Sequence, residues 1–217
     1  AQAETLFRER QNTAKLREAV ALLGKARNPD RRDYEIEWQF ARFNYFLGKQ
    51  TENEKESAEA FEKGKQAGRI ASRIEPNKPE GHFWFAANLG EQAKESPVTV
   101  GIKSVDDIRE AMNKVIELQP DYQGASAYDA LAQIELTTGM FGGKAEKAIE
   151  YLEKALTLEK ENSYIYLHLA EAYLATGRRA EAKKHLQHIL QMKPAPEYAF
   201  EYKEVSEKAK KLLETRF

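Results

Sequence analysis

The chain has 217 residues, with 34 lysines and arginines against 35 aspartates and glutamates, and it contains no cysteine. The net charge of -1 gives no basis for a general nucleic-acid binder, which needs a clustered positive surface. The lack of cysteine excludes disulfides, thiolate catalysis and Cys-ligated metal sites, and the lack of an apolar run of about 18 residues predicts no transmembrane segment.

Helical periodicity dominates the N-terminal half, and proline marks the ends of the predicted helices. The predicted helices span residues 4–25, 33–47 and 52–74, and a fourth begins at Pro79. Proline is well suited to the first turn of a helix, because the hydrogen bond that it cannot donate is already missing there.

The same periodicity continues through the C-terminal half. A connector at residues 95–103 contains Pro97 and Gly101, and Ser104 is predicted to cap the next helix, which ends near Leu118. The remaining predicted helices span residues 123–138, 144–160, 163–176, 178–192 and 197–214. No segment shows the alternation of a strand, so the predicted fold class is all-α.

An internal repeat is the strongest signal in the sequence. Three pairs of residues in the first helices are each 38 positions apart: Leu131 and Leu169, Ala132 and Ala170, and Gly139 and Gly177. Two pairs in the second helices are 34 positions apart: Ala148 and Ala182, and Leu152 and Leu186. The difference of four residues between the two spacings fits an insertion at residues 140–143. A 34-residue helical hairpin that ends in proline, here Pro194, is the tetratricopeptide pattern.

Because a single helical hairpin cannot bury its apolar face, such hairpins must stack. The sequence therefore predicts a single all-α domain over residues 1–217, a tetratricopeptide-like helical-hairpin solenoid with extra N- and C-terminal helices. Its predicted parts are N-terminal helices with a degenerate repeat over 1–78, a degenerate repeat over 79–120, repeats over 125–162 and 163–196, and a capping helix over 197–214.

Two short segments resemble known tetratricopeptide branches. Residues 82–90 (HFWFAANLG) and 142–148 (GGKAEKA) resemble motifs of the T-component proteins of TRAP transporters. The first segment, with residues 101–103 and the order of the later repeats, is also similar to the regulator-of-microtubule-dynamics family. The T-component resemblance implies an exported, often lipid-anchored protein that docks a substrate-binding protein and forms a ring, and hence a homo-oligomer. The microtubule-regulator resemblance implies contact with lipid or protein partners.

The chain starts at Ala1 without a methionine, which fits a mature protein after export. We therefore expect a periplasmic or otherwise exported location, with a cytoplasmic location as the alternative.

The first helix of each hairpin should face a concave groove. The predicted lining from the N-terminal side is apolar and aromatic: Gln39, Phe43, Phe46, His82, Phe85 and Leu89. The predicted lining from the C-terminal side is polar with acidic groups: Ser126, Asp129, Gln133, Tyr164, His168 and Glu171. Such a surface suits an amphipathic small molecule or an apolar peptide anchor. The alternative is that the aromatic residues form a core with the terminal helices. Both interpretations hold if those helices fold into the groove.

Little in the sequence points to catalysis. His185 and His188 lie one helical turn apart, with Glu181 a further turn back, a spacing that a metal site can use, but we interpret these residues as a solvated helix face. We expect no catalytic, cofactor-binding or metal-binding residues. The leading hypothesis is a non-enzymatic scaffold that binds a partner protein, with an extracytoplasmic substrate-binding protein of a transport system as the expected partner. The alternative is a carrier that holds a hydrophobic small molecule or lipid in the groove.

Overall fold

The computed structural model describes residues 2–95, 101–139, 144–194 and 199–217. Within these ranges it contains eleven α-helices and no strand, which confirms the all-α prediction. The helices are α1 (Gln2–Arg8), α2 (Thr13–Ala26), α3 (Tyr34–Gln50), α4 (Glu54–Ile74), α5 (Pro79–Glu95), α6 (Ile102–Leu118), α7 (Tyr122–Thr137), α8 (Ala145–Leu158), α9 (Ser163–Ala175), α10 (Arg179–Gln191) and α11 (Ala199–Arg216). In this described part of the chain, no helix is both long and apolar enough to cross a bilayer.

The contacts between helices divide the chain into two compact units. Unit 1 is Ala1–Gln119 with helices α1 to α6, and unit 2 is Pro120–Phe217 with helices α7 to α11. In each unit, helices that follow one another along the chain pack side by side. The single domain over 1–217 that the sequence favours stays a prediction.

The N-terminus of unit 1 differs from the sequence prediction. The single helix predicted over residues 4–25 is wrong, because the chain forms α1 and α2 with a turn over 9–12 between them. Asn12 explains the break: its backbone is extended and its Oδ1 accepts a hydrogen bond from the backbone N–H of Ala14 at 3.0 Å. An asparagine that caps a helix in this way begins a new helix instead of continuing the previous one.

Helices α4 and α5 of unit 1 approach each other unusually closely. A Cβ atom added to Gly68 would lie 2.5 Å from the backbone nitrogen of Phe85, and one added to Gly64 would lie 2.2 Å from Oδ1 of Asn88. Buried alanines such as Ala67 continue the same face of α4. Small residues therefore bring the two backbones together in this unit.

Unit 2 consists of the two hairpins expected from the repeat, α7 with α8 and α9 with α10, followed by α11. The residues that set the repeat register are buried: Leu131, Ala132, Ala148, Leu152, Leu169, Ala170, Ala182 and Leu186. The predicted insertion at residues 140–143 lies outside the described residues. The spacing of leucines and alanines therefore corresponds directly to the core of this unit.

Candidate functional site

Two predicted groove residues of α3, Phe43 and Phe46, lie against Phe7 of α1. The Phe43 ring is stacked on the Phe7 ring with centroids 4.2 Å apart and planes 4° apart, and Phe43 is completely buried. Phe46 meets Phe7 edge-on at 5.3 Å. Gln39 lies one turn earlier and its side-chain amide donates to Glu35 at 3.5 Å. The two phenylalanines that α3 contributes to the predicted groove therefore pack against α1.

Of the predicted groove residues of α5, Phe85 and Leu89 face the interior of unit 1, and His82 faces the loop that precedes α5. Phe85 and Leu89 are buried, and the Arg69 guanidinium lies 4.7 Å above the Phe85 ring. His82 is half-buried, and its Nε2 lies 3.0 Å from the carbonyl oxygen of Pro76. These side chains stabilise the packing of α5 and present little apolar surface.

Unit 2 brings four of its predicted groove residues close together on α7 and α9. Asp129 Oδ1 of α7 lies 2.6 Å from Nδ1 of His168 on α9. The His168 ring in turn lies 5.9 Å from the Tyr164 ring, one turn earlier on α9. Asn162 at the start of α9 donates to the hydroxyl oxygen of Ser126 at 3.3 Å. We call these four predicted groove residues, together with Glu204 of α11, which accepts a hydrogen bond from Tyr164, the polar ladder.

Glu204 extends the polar ladder onto α11. The Tyr164 hydroxyl donates to Glu204 Oε2 at 2.9 Å, and Lys208 pairs with Oε1 of the same carboxylate at 2.6 Å. Burial and the neighbouring Glu204 carboxylate raise the pKa of the Tyr164 phenol above its ordinary value. Tyr164 therefore stays protonated and remains a hydrogen-bond donor throughout the physiological pH range.

The remaining two predicted residues flank the polar ladder. Gln133 lies half-buried one turn after Asp129 on α7, and Glu171 lies one turn after His168 on α9. Glu171 lines a cavity of about 330 Å³ whose other walls come from both α9 and α11. Those walls are Leu174, Ala175, Leu212 and Arg216. Three apolar residues, one acidic residue and one basic residue therefore line the cavity.

Asn162 is a structural residue that the sequence analysis missed. Residues 123–125 all have positive φ angles, with 50° at Gln123 and 58° at Ala125. A left-handed conformation costs about 1 to 2 kcal/mol for each residue that carries a Cβ. Asn162 holds this turn through a 2.9 Å hydrogen bond from Nδ2 to the carbonyl of Gly124, while its Oδ1 caps α9 at the N–H of Tyr164. The asparagine directly before a predicted helix was the available signal.

The groups of the polar ladder are joined to one another by hydrogen bonds. Asp129 and His168 form a paired donor and acceptor, and Tyr164 donates to a carboxylate. Within the described ranges, no group of three or more histidines, aspartates or glutamates has the arrangement of a metal site. Side chains from three helices of one unit thus form a polar surface beside an apolar cavity.

Comparison with known proteins identifies related sequences and folds. The family model described as regulator of microtubule dynamics protein 1-3 matches residues 1–128, and a tetratricopeptide repeat model matches residues 142–199. The crystal structure of TTC0263, a thermophilic TPR protein in Thermus thermophilus, is 20% identical over 92% of each chain, with a TM-score of 0.64. A crystal structure of MamA protein is 15% identical, covers 99% of this chain and 94% of that one, and has a TM-score of 0.55. No curated protein matches the chain. The structural similarity confirms the tetratricopeptide-like helical-hairpin solenoid fold.

Proposed function

The chain belongs to the regulator of microtubule dynamics protein 1-3 family, and we propose that it is a non-enzymatic scaffold that binds a segment of a partner protein on unit 2. The polar ladder and the adjoining cavity on α9 and α11 carry this proposal. Tetratricopeptide hairpins use such stacked helices as extended binding surfaces.

The chemistry of this surface favours a peptide segment over a small molecule. A small-molecule pocket encloses most of its ligand within apolar walls. Here the cavity of about 330 Å³ has room for one apolar side chain, and Glu171 and Arg216 lie at its walls. The hydrogen-bonding groups of Asp129, His168 and Tyr164 lie on the same helices as the cavity or on the neighbouring α7. A peptide could place an apolar anchor in the cavity and its backbone polar groups along the ladder.

The expected partner class remains that of the sequence resemblance. An extracytoplasmic substrate-binding protein of a transport system, and with it an exported location, is supported by the likeness of residues 82–90 and 142–148 to T-component proteins. The alternative, a carrier of a hydrophobic ligand or lipid, has weaker support, because Phe43 is already completely buried beneath α1.

The proposal is tested by affinity capture from native extract with a matched pair of charge reversals. Glu171→Arg changes the wall of the cavity, and Glu150→Arg makes the same change at an exposed position of α8. We expect the wild type and Glu150→Arg to retain the same proteins, and Glu171→Arg to lose at least one of them, as counted by quantitative mass spectrometry. Identical recovery with all three proteins would count against unit 2 as the binding surface. The identity of the lost protein then decides whether a transport component is the partner.

A further inference from the structure

The carboxylates of the polar ladder already have partners within the chain. Oδ1 of Asp129 lies 2.6 Å from Nδ1 of His168. Glu204 accepts a hydrogen bond from Tyr164 and forms an ion pair with Lys208 at 2.6 Å. Groups that are held in this way stabilise the packing of the helices. A free charge that selects a peptide must therefore come from another part of unit 2.

Two charged side chains at the cavity of unit 2 are unpaired. Glu171 of α9 and Arg216 of α11 both line this cavity of about 330 Å³, and Glu171 is half-buried. Among the residues that the structure describes, neither side chain has a hydrogen bond or an ion pair, with the other or with a third group. Opposite charges that line one cavity without meeting leave room for an occupant that forms a charged hydrogen bond with each of them.

Helices α9 and α11 run in the same direction along this cavity. Tyr164 of α9 contacts Glu204 of α11, 40 positions later, and Glu171 and Leu212, 41 positions apart, line the same cavity. Arg216 follows Leu212 by one helical turn, and therefore lies about 6 Å further along the cavity than Glu171 does. The cavity thus has a negative end and a positive end.

We propose that the cavity selects a peptide segment in which a basic and an acidic residue lie on opposite sides of one apolar residue, each within two positions of it. This inference rests on the proposed function and names the chemistry of the partner segment. The basic residue pairs with Glu171, the acidic residue pairs with Arg216, and the apolar residue enters the cavity against Leu174 and Leu212. A segment with two charges of the same sign is rejected, because one of them would face a like charge.

Selection from a phage-displayed library of random heptapeptides tests this chemistry without assuming a sequence. The library is selected separately on the full wild-type chain, on Glu171→Arg, and on Glu150→Arg, which makes the same change at an exposed position of α8. We expect peptides from the wild type and from Glu150→Arg to share a basic, an apolar and an acidic residue in this order or its reverse. Peptides selected on Glu171→Arg should carry an acidic residue in place of the basic one.

The other outcomes of the selection separate this inference from the proposed function. Peptides that depend on Glu171 but carry no basic residue near the apolar one would overturn the inference and leave unit 2 as the binding surface. Peptides that bind all three chains alike, or a library without any enriched peptide, would overturn both.

A charge swap in solution gives a second readout. The probes are one heptapeptide selected on the wild type, labelled with fluorescein, and a copy of it in which glutamate replaces the basic residue. By fluorescence anisotropy, the wild type should bind the first peptide about tenfold more tightly than the second, and Glu171→Arg should reverse this preference. A reversed preference also shows that the variant is folded, so that misfolding cannot explain the loss of the first peptide. Equal affinities of the wild type for the two peptides would reject the pairing with Glu171 and with it the inference.

Discussion

Units 1 and 2 are both built from helical hairpins, but different side chains hold them together. Unit 1 relies on aromatic rings, such as the stack of Phe7 on Phe43, and on the close approach of α5 to Gly64 and Gly68 of α4. Unit 2 relies on the regular exchange of small and large residues, and a Cβ atom on its Gly139 would meet nothing within 4 Å. A helical hairpin can therefore lose the repeat's sequence pattern and still keep its fold, when close packing at glycines and aromatic rings replaces the regular alternation of small and large residues.

Glycine substitutions give the largest test of this difference. Gly68→Ala would place a methyl group 2.5 Å from the backbone nitrogen of Phe85, where no side-chain rotation can relieve the clash. We expect the free energy of unfolding of unit 1 to fall by about 2 to 3 kcal/mol, as is usual for overpacking. Urea unfolding followed by tryptophan fluorescence measures this unit selectively, because both tryptophans, Trp38 and Trp84, lie in it.

Gly90→Ala is the matched control in the same unit. A Cβ atom at Gly90 on α5 would have no neighbour within 4 Å. Replacing glycine by alanine inside a helix then removes only the entropic penalty of glycine, and should stabilise unit 1 by about 0.5 to 1 kcal/mol. If Gly68→Ala and Gly90→Ala shifted the unfolding midpoint in the same direction, the close approach of α4 and α5 would be refuted.

Asn162 provides the corresponding test in unit 2. Asn162→Ala removes both the cap of α9 and the hydrogen bond to Gly124 that holds the left-handed turn. We expect a loss of about 2 kcal/mol, against about 1 kcal/mol for Asn12→Ala, which removes an ordinary exposed cap of α2. Hydrogen exchange of the α7 and α9 amides reports the first variant, and tryptophan fluorescence reports the second. Equal losses would mean that the turn at 123–125 needs no support from Asn162.

The sequence was sufficient to predict the helices and hairpins of unit 2. The 38- and 34-residue spacings give the register directly, because residues at equivalent repeat positions such as Leu131 and Leu169 occupy equivalent places in the core. In unit 1 the sequence predicts helices but not their separation. The helical pattern of α4 does not reveal the role of Gly64 and Gly68, because the Asn88 side chain and the Phe85 backbone that approach them belong to another helix.

The repeat register also allows part of the candidate site to be predicted. Asp129 and His168 were expected in one lining, since successive first helices of a solenoid are neighbours, and the structure pairs them at 2.6 Å. Glu204 was not expected, because the capping helix lies beyond the repeat and its register has no counterpart in the earlier units. Phe43 and Phe46 fit a groove or a core equally well by spacing, and only the position of α1 distinguishes the two.

The smallest expected effect is a pH dependence that differs between the units. In unit 2, burial lowers the pKa of His185 below 6.5, and the nearby positive charge of Lys184 adds to the shift. The folded state therefore binds a proton at His185 less readily than the unfolded state does. The stability that neutral His185 contributes is complete above pH 6.5 and falls as the pH drops below that value. His185→Phe keeps the ring that stacks on Tyr173 but cannot titrate.

In unit 1, hydrogen bonds from Arg17 and Thr51 lower the pKa of Glu56 from 4.5 to about 2. The unfolded chain binds this proton more readily, so the contribution of Glu56 is complete above pH 4.5 and is lost as the pH falls towards 2. Because Arg17 is exposed, solvent screens this pair and keeps its effect small. Relative to wild type, His185→Phe should therefore flatten the pH profile of unit 2 between pH 7.5 and 5, and Glu56→Gln should flatten that of unit 1 only below pH 4.5. Hydrogen exchange and tryptophan fluorescence, recorded over the same pH series, separate the two. Profiles that stay parallel to wild type in either window would remove the assigned group as the cause.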